Sequence, residues 1–180
     1  MSNGGLAYII GNEIRQSTRT QNPAIIAYAA EGVRYADNRL FLIDNIMVND
    51  LVGRGTFVMN LGPNPARLAN NILLGAGAVL SGAGVLTNNL LATHAGGTPS
   101  VTLLNGNGNS GNRITATAVL ANVGADDYRL LAGSPAIGMG VDPKSILGTS
   151  LLIQSEYLHA LKLKYRRPTA PFDAGAHAYP

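Results

Sequence analysis

Apolar and polar positions alternate with period two in short stretches along the first two thirds of the chain, and one arrangement of them recurs. An apolar residue, one intervening position, Asn, one intervening position and a second apolar residue appear as Ile10, Asn12 and Ile14, then as Ile43, Asn45 and Met47. The same arrangement returns at Ala69, Asn71 and Leu73, and again at Thr87, Asn89 and Leu91, where Thr takes the first apolar place. The four Asn residues are 33, 26 and 18 positions apart, which are coil-sized periods with loops of variable length. Residues two apart on a strand share a face, so the pattern predicts strands whose Asn points inward with its apolar neighbours.

A second apolar segment follows each Asn strand, at residues 24–28, 56–59, 78–80 and 101–104, with turn-formers such as Gly53, Gly55, Gly75 and Gly77 between the two. Each unit reads as strand, turn, strand, loop. One such unit cannot bury its own inner face, whereas stacked neighbours complete the core. Stacking places equivalent Asn side chains about 4.8 Å apart, close enough to bond amide to carbonyl up a ladder of Asn12, Asn45, Asn71 and Asn89. Ordinary turn formation is the competing reading of the Asn pairs Asn70–Asn71 and Asn88–Asn89. Residues 114–120 add a last irregular coil after the Gly/Asn-rich loop 105–112. The expectation is an all-β solenoid of about four to five coils over residues 1–125, with a C-terminal strap over 126–180.

Two columns on these strands, Leu42, Leu68 and Leu86, and Ile46, Ile72 and Leu90, read as outward and yet are apolar. Something must cover them. The C-terminal segment folding back is the favoured cover, and a partner chain the alternative.

That C-terminal segment carries a resemblance. The run "DYRLLAGSPAIGMG" from Asp127 and the terminal "DAGAHAY" from Asp173 look like the closing signature of bacterial right-handed parallel β-helix proteins, the pectate-lyase-like solenoids. Those commonly read D-Y/F-R-L…G-S-P-A-I-D-x-G and end in D-I-G-A-Y/F-E. The resemblance implies a right-handed parallel β-helix, an extracellular or cell-surface setting, and a polysaccharide as partner. It does not choose a role, because similar solenoids include polysaccharide lyases, glycoside hydrolases, epimerases and adhesins. The chain departs from the pattern at Gly138 and at His177-Ala178-Tyr179, and both departures remove carboxylates.

Composition narrows the chemistry. Only 13% of the 180 residues are charged and 22 are Gly, which favours a turn-rich β protein over a helical bundle. Cys is absent, removing disulfides and thiolate chemistry. The excess of positive charge gathers at Lys162, Lys164, Arg166 and Arg167. That patch is too short and too poor in aromatics for a nucleic-acid partner. No run approaches the ~18 apolar residues of a membrane span, and no basic, then apolar leader opens the chain.

Carbohydrate chemistry on such a scaffold needs carboxylates and a cation on one face. Glu13 and Arg15, two apart on one strand, meet that need, with Glu31 and Arg34 in a loop that could lean over them. These four are the candidate catalytic set, against the alternative of solvated ion pairs that keep the solenoid soluble. No metal site and no cofactor are assigned, since no zinc-protease, P-loop, nucleophile-elbow or dinucleotide motif occurs. His94, His159 and His177 read as non-catalytic, and residues 151–167 as either a short helix or an extended strap.

The N-terminal end reads as open, because a core-type strand, Ala7-Tyr8-Ile9-Ile10, starts with no cap before it. Open strand edges recruit another chain. The expectation is that the native protein continues N-terminally with more coils and a signal peptide, or that the chain self-associates through that end.

Overall fold

The computed structural model describes residues 1–101, 110–147, 154–158, 162–166 and 170–180. Successive short strands are assigned in turn to three parallel sheets. The first circuit comprises β1 (Ala7–Ile10), β2 (Glu13–Gln16) and β3 (Ala24–Tyr28). The second comprises β4 (Leu40–Ile43), β5 (Ile46–Asn49) and β6 (Thr56–Asn60), and the third β7 (Ala66–Ala69), β8 (Ile72–Gly75) and β9 (Gly77–Ser81). The fourth has β10 (Gly84–Thr87), β11 (Leu90–Ala92) and β12 (Pro99–Ser100), after which β13 (Arg113–Thr115) adds a last strand. One sheet runs β1-β4-β7-β10, the second β2-β5-β8-β11-β13, and the third β3-β6-β9-β12. Every neighbouring pair in the three is parallel. Each circuit therefore contributes three strands where the repeat suggested two: the residues before each Asn form a strand of their own, in a different sheet from those after it.

The corner between the first and second sheets explains this division. The residue just before each Asn has a left-handed backbone, with φ of 68° at Gly11, 54° at Asp44, 55° at Asn70, 51° at Asn88 and 66° at Gly111. Gly, Asn and Asp adopt that conformation most readily. The turn interrupts strict alternation, so Leu42, Leu68 and Leu86 point inward and join Met47, Leu73 and Leu91 in the main core. The expectation that the Leu42 column faces outward is thereby corrected. Tyr28, Phe57, Val79 and Leu80 close the same core from the third sheet.

The Asn residues stack at this corner. Asn12 Nδ2 donates to Asn45 Oδ1 at 3.1 Å, Asn45 to Asn71 at 2.9 Å and Asn71 to Asn89 at 2.8 Å. Asn89 continues to Asn112 at 2.9 Å, a rung that the sequence pattern left in a loop. Each acceptor oxygen also takes the backbone N–H of the donating Asn, at 2.9–3.0 Å. The second hydrogen of each inner amide goes to a main-chain carbonyl of the preceding circuit: Ile9 for Asn45, Leu42 for Asn71 and Leu68 for Asn89. Buried polar groups are tolerated when every hydrogen finds a partner. Close contact between circuits also fixes Gly75, whose φ is +104° and where a Cβ would lie 2.0 Å from the Asn49 carbonyl oxygen.

The C-terminal segment covers the outside of the second sheet. Ile46, Ile72 and Leu90, with Val48, Leu74 and Ala92, pack under Ala118, Tyr128, Leu130, Ala136, Met139, Ala174 and Ala176. Covering starts at Ala118, some residues before the expected boundary at 126. It includes the antiparallel pair β14 (Leu120–Asn122) and β15 (Asp127–Leu130), while the short α1 (Lys144–Leu147) takes a hydrogen bond from Arg67 of the first sheet at its Ile146 carbonyl. Polar corner residues guide its path: Asn88 Nδ2 donates to the Met139 carbonyl, and Asn70 exchanges two hydrogen bonds with the backbone of Val141. Of residues 151–167, which sequence left as helix or strap, β16 (Ser155–Leu158) and β17 (Lys162–Tyr165) are antiparallel strands. Residues 102–109, 148–153, 159–161 and 167–169 lie outside the described residues, and with them His159, Arg167 and parts of the expected segments 101–104, 105–112 and 151–167.

The ladder makes a prediction about position along the stack. Asn71→Ala strands the backbone N–H and one amide hydrogen of Asn45 in the interior and leaves Asn89 Oδ1 only the backbone N–H of residue 71, and should destabilise by about 3 kcal/mol. Asn12→Ala, at the exposed end, should cost less than about 1 kcal/mol. Urea denaturation in dilute solution checks both, and equal losses would contradict a ladder buried in this way.

Candidate functional site

Glu13 and Arg15 occupy a telling place. In the register of the second sheet Glu13 lies beside Ile46 and Arg15 beside Val48, so both stand in columns that are apolar and covered in the next three circuits. A charge in such a column needs a partner from whatever covers it. The C-terminal segment supplies both.

Arg15 donates through Nε to Asp50 Oδ2 at 2.7 Å and through Nη1 to Asp126 Oδ1 at 2.7 Å and the Val123 carbonyl at 2.8 Å. Asp50 Oδ1 also contacts His94 Nε2 at 2.9 Å, and Tyr128 Oη donates to Asp126 at 2.7 Å. Hydrogen bonds to Asp50 and then to Asp126 raise the pKa of Arg15. Burial first, and then the bond to Asp126, raise that of the Tyr128 phenol.

Glu13 meets His177, whose Nε2 is hydrogen-bonded to Glu13 Oε1. The other ring nitrogen, Nδ1, lies 3.5 Å from Glu156 Oε2, and Glu156 Oε1 accepts the Ala178 N–H at 2.7 Å. The imidazole side chain is 3% exposed. Burial opposes its charge, but the two carboxylates outweigh burial and raise its pKa to about 9. Burial would likewise raise Glu156, yet the bonds from His177 and Ala178 hold it below the usual carboxylate range. Nearby, buried Arg166 donates to the carbonyls of Gly175 and Asp173. Burial pushes the Asp44 carboxyl up to about 7, against the pull of Arg166 and Asn70.

A cleft of about 400 Å³ opens beside these groups, lined by Glu13, Asp126, Asp127, Arg129, Tyr157 and His177 among others. The Tyr157 residue is 38% exposed, and Arg129 and Asp127 form an ion pair at 2.6 Å on the rim.

The structure divides the four candidate residues. Glu13 and Arg15 sit at the cleft and beside it, while Glu31 and Arg34 lie exposed in the loop after β3. Their backbone N–H groups donate to the carbonyls of Ser2 and Asn3 at 2.7 and 3.1 Å, holding the N-terminal lead. Among the described residues no ion pair joins either to Glu13 or Arg15, and neither is among the residues that line the cleft. His177, Glu156, Asp126 and Asp127 are the groups that sequence reasoning missed. The available signal was the pair of charges at Glu13 and Arg15 in otherwise apolar columns. Among the described residues no cluster of three or more His, Cys, Asp or Glu is placed to hold a metal ion, and no helix is long and apolar enough to cross a membrane. No family model matches the chain, and no curated protein or solved structure matches it either.

At neutral pH both ring nitrogens of His177 carry hydrogen, so it acts as a clasp between two carboxylates and has no lone pair to serve as a base. A folded-state pKa of about 9 against an ordinary 6.5 means that the clasp contributes fully below about 6.5 and is lost as pH rises through 9. Thermal melts should therefore fall between pH 7 and 10 by an amount on the order of 1–3 kcal/mol in stability. The His177→Gln variant should lack this decline. A wild-type profile as flat as the variant's would contradict a charged His177.

Proposed function

We propose that the chain is a right-handed parallel β-helix of the extracellular or cell-surface kind, and that it binds a neutral glycan in the cleft without turning it over. The fold part is supported by three parallel sheets that each collect every third strand, since crossover connections between parallel strands are right-handed in about 98% of cases. The closing signature at residues 127–140 and 173–179 supports it independently.

One observation carries the binding part. The cleft combines an exposed Tyr157 ring with the planar polar groups of Asp126, Asp127 and Arg129 on its rim. Carboxylates and guanidinium offer paired acceptors and donors that match neighbouring sugar hydroxyls, and an aromatic face packs on the C–H side of a sugar ring. Three acids face two cations there, Arg129 and protonated His177, so the lining does not favour a polyanion.

Lyase action on an acidic glycan is the weaker reading. It needs an unengaged cation for the uronate and a base near the scissile bond. Arg15 is committed to Asp50 and Asp126, and His177 to its two glutamates.

Calorimetric titration with neutral and uronate oligosaccharides tests the proposal. Neutral oligosaccharides should bind, and Tyr157→Ala should weaken them about tenfold, the loss of roughly 1.4 kcal/mol of ring packing. Tighter binding of uronates, or the appearance of unsaturated products, would overturn it in favour of the lyase.

A further inference from the structure

Tyr157 belongs to the cleft and also to an exposed apolar row beside it. In the antiparallel pair β16–β17, Tyr157 stands opposite Leu163 and Ser155 opposite Tyr165. Residues directly opposite, and residues two apart on one strand, share a face. Tyr157, Leu163 and Tyr165 therefore project from the same side of the pair. Leu163 is 74% and Tyr165 70% exposed. Neither phenol hydroxyl has a hydrogen-bond partner among the described residues. Lys162 and Lys164 alternate with Leu163 and Tyr165 along β17, so they point to the other side and the row carries no charge of its own.

A second copy of the chain is a poor occupant for this row. Covered completely, the three side chains bury on the order of 400 Å², about half of what one partner contributes to a stable protein interface. Strand pairing along β17 is opposed by the exposed Lys162 and Lys164, which set like charges against another β17. A sugar needs far less area. Its ring packs a C–H face on one aromatic side chain, and its hydroxyls take the nearby polar groups. Two members of the row are phenols that offer both, and one of them, Tyr157, already lines the cleft.

We propose that the row Tyr157, Leu163 and Tyr165 is a second glycan subsite, so that the ligand is a neutral oligosaccharide chain lying from the cleft across β16 and β17. This rests on the reading of the cleft as a glycan site and adds the length of chain that it takes. Tyr157 and Tyr165 are diagonal neighbours, roughly 7–8 Å apart, which is wider than one sugar ring. Packing on both rings thus requires more than one sugar. Leu163 adjoins both tyrosines and shields the linkage between those sugars from water.

The exposure of Tyr165 allows a test that leaves every buried contact in place: Tyr165→Ser, with circular dichroism to confirm the fold. The titrants are gluco-, manno- and galacto-oligosaccharides, each as the disaccharide and the hexasaccharide, followed by calorimetry. In the series that binds, the hexasaccharide should bind more tightly than the disaccharide. Tyr165→Ser should weaken the hexasaccharide about tenfold and leave the disaccharide unchanged. Tyr165→Phe, which keeps the ring, should retain most of the hexasaccharide affinity, and Tyr157→Ala should weaken both lengths. Hexasaccharide binding that Tyr165→Ser does not alter would overturn the second subsite while the cleft reading stands. Equal weakening of both lengths by Tyr165→Ser would overturn it as well, since the ring would then belong to the cleft. Failure of every oligosaccharide to bind the unaltered chain would overturn both readings.

Discussion

A buried column of side-chain amides at the corner between the first and second sheets governs the rest of this structure. Parallel strands can slide by two residues and keep their inward faces apolar, so apolar packing by itself does not fix how circuits stack. The Asn column does. Asn45, Asn71 and Asn89 are fully buried, and a slip would leave several amide groups unpaired at once, each costing about 1–3 kcal/mol. The left-handed residue before each Asn then turns the chain, so that the same few residues set both the vertical register and the change of sheet.

That corner also has an outer side, and it decides where the C-terminal segment runs. Asn70 and Asn88, the turning residues of the third and fourth circuits, hold the backbone of Met139 and Val141. At the second circuit the turning residue is Asp44, buried and within the field of Arg166. The covering segment therefore follows one polar column while burying two apolar ones, Ile46 to Leu90 and Val48 to Ala92. At the first circuit those columns become Glu13 and Arg15. The cover is held there by charge, through His177 and Asp126, and the cleft forms where packing gives way to ion pairs.

Much of this was legible in the residues because the constraints are local. Period-two alternation and the spacing of Asn12, Asn45, Asn71 and Asn89 point to stacked parallel strands, and the apolar residues Ile46, Ile72 and Leu90 point to a cover. Asn112 is masked in sequence by the glycines and asparagines around it, although Ile114 two residues later fits the same pattern. Alternation carried through the corner puts the Leu42 column on the wrong face, because one residue with positive φ is enough to reverse it. The site was less legible. Glu13 and Arg15 are close in sequence and stand out, but their partners His177 and Asp126 lie 164 and 111 positions away. Nothing in the order of residues states which tail group meets which column. Glu31 and Arg34 lie in a loop whose sequence allows it to lean over that face, and the turn after β3 joins their backbone to the N-terminal lead.

The Asn amides form a continuous, inaccessible column. Hydrogen exchange of the side-chain NH2 groups, followed by nuclear magnetic resonance on uniformly nitrogen-15-labelled protein in dilute solution, addresses it directly. The account predicts that the amides of Asn45, Asn71 and Asn89 exchange as slowly as the backbone of the central strands, while Asn12 exchanges at the rate of an exposed side chain. Fast exchange at Asn71, with slow exchange in β8 on either side of its corner, would contradict it.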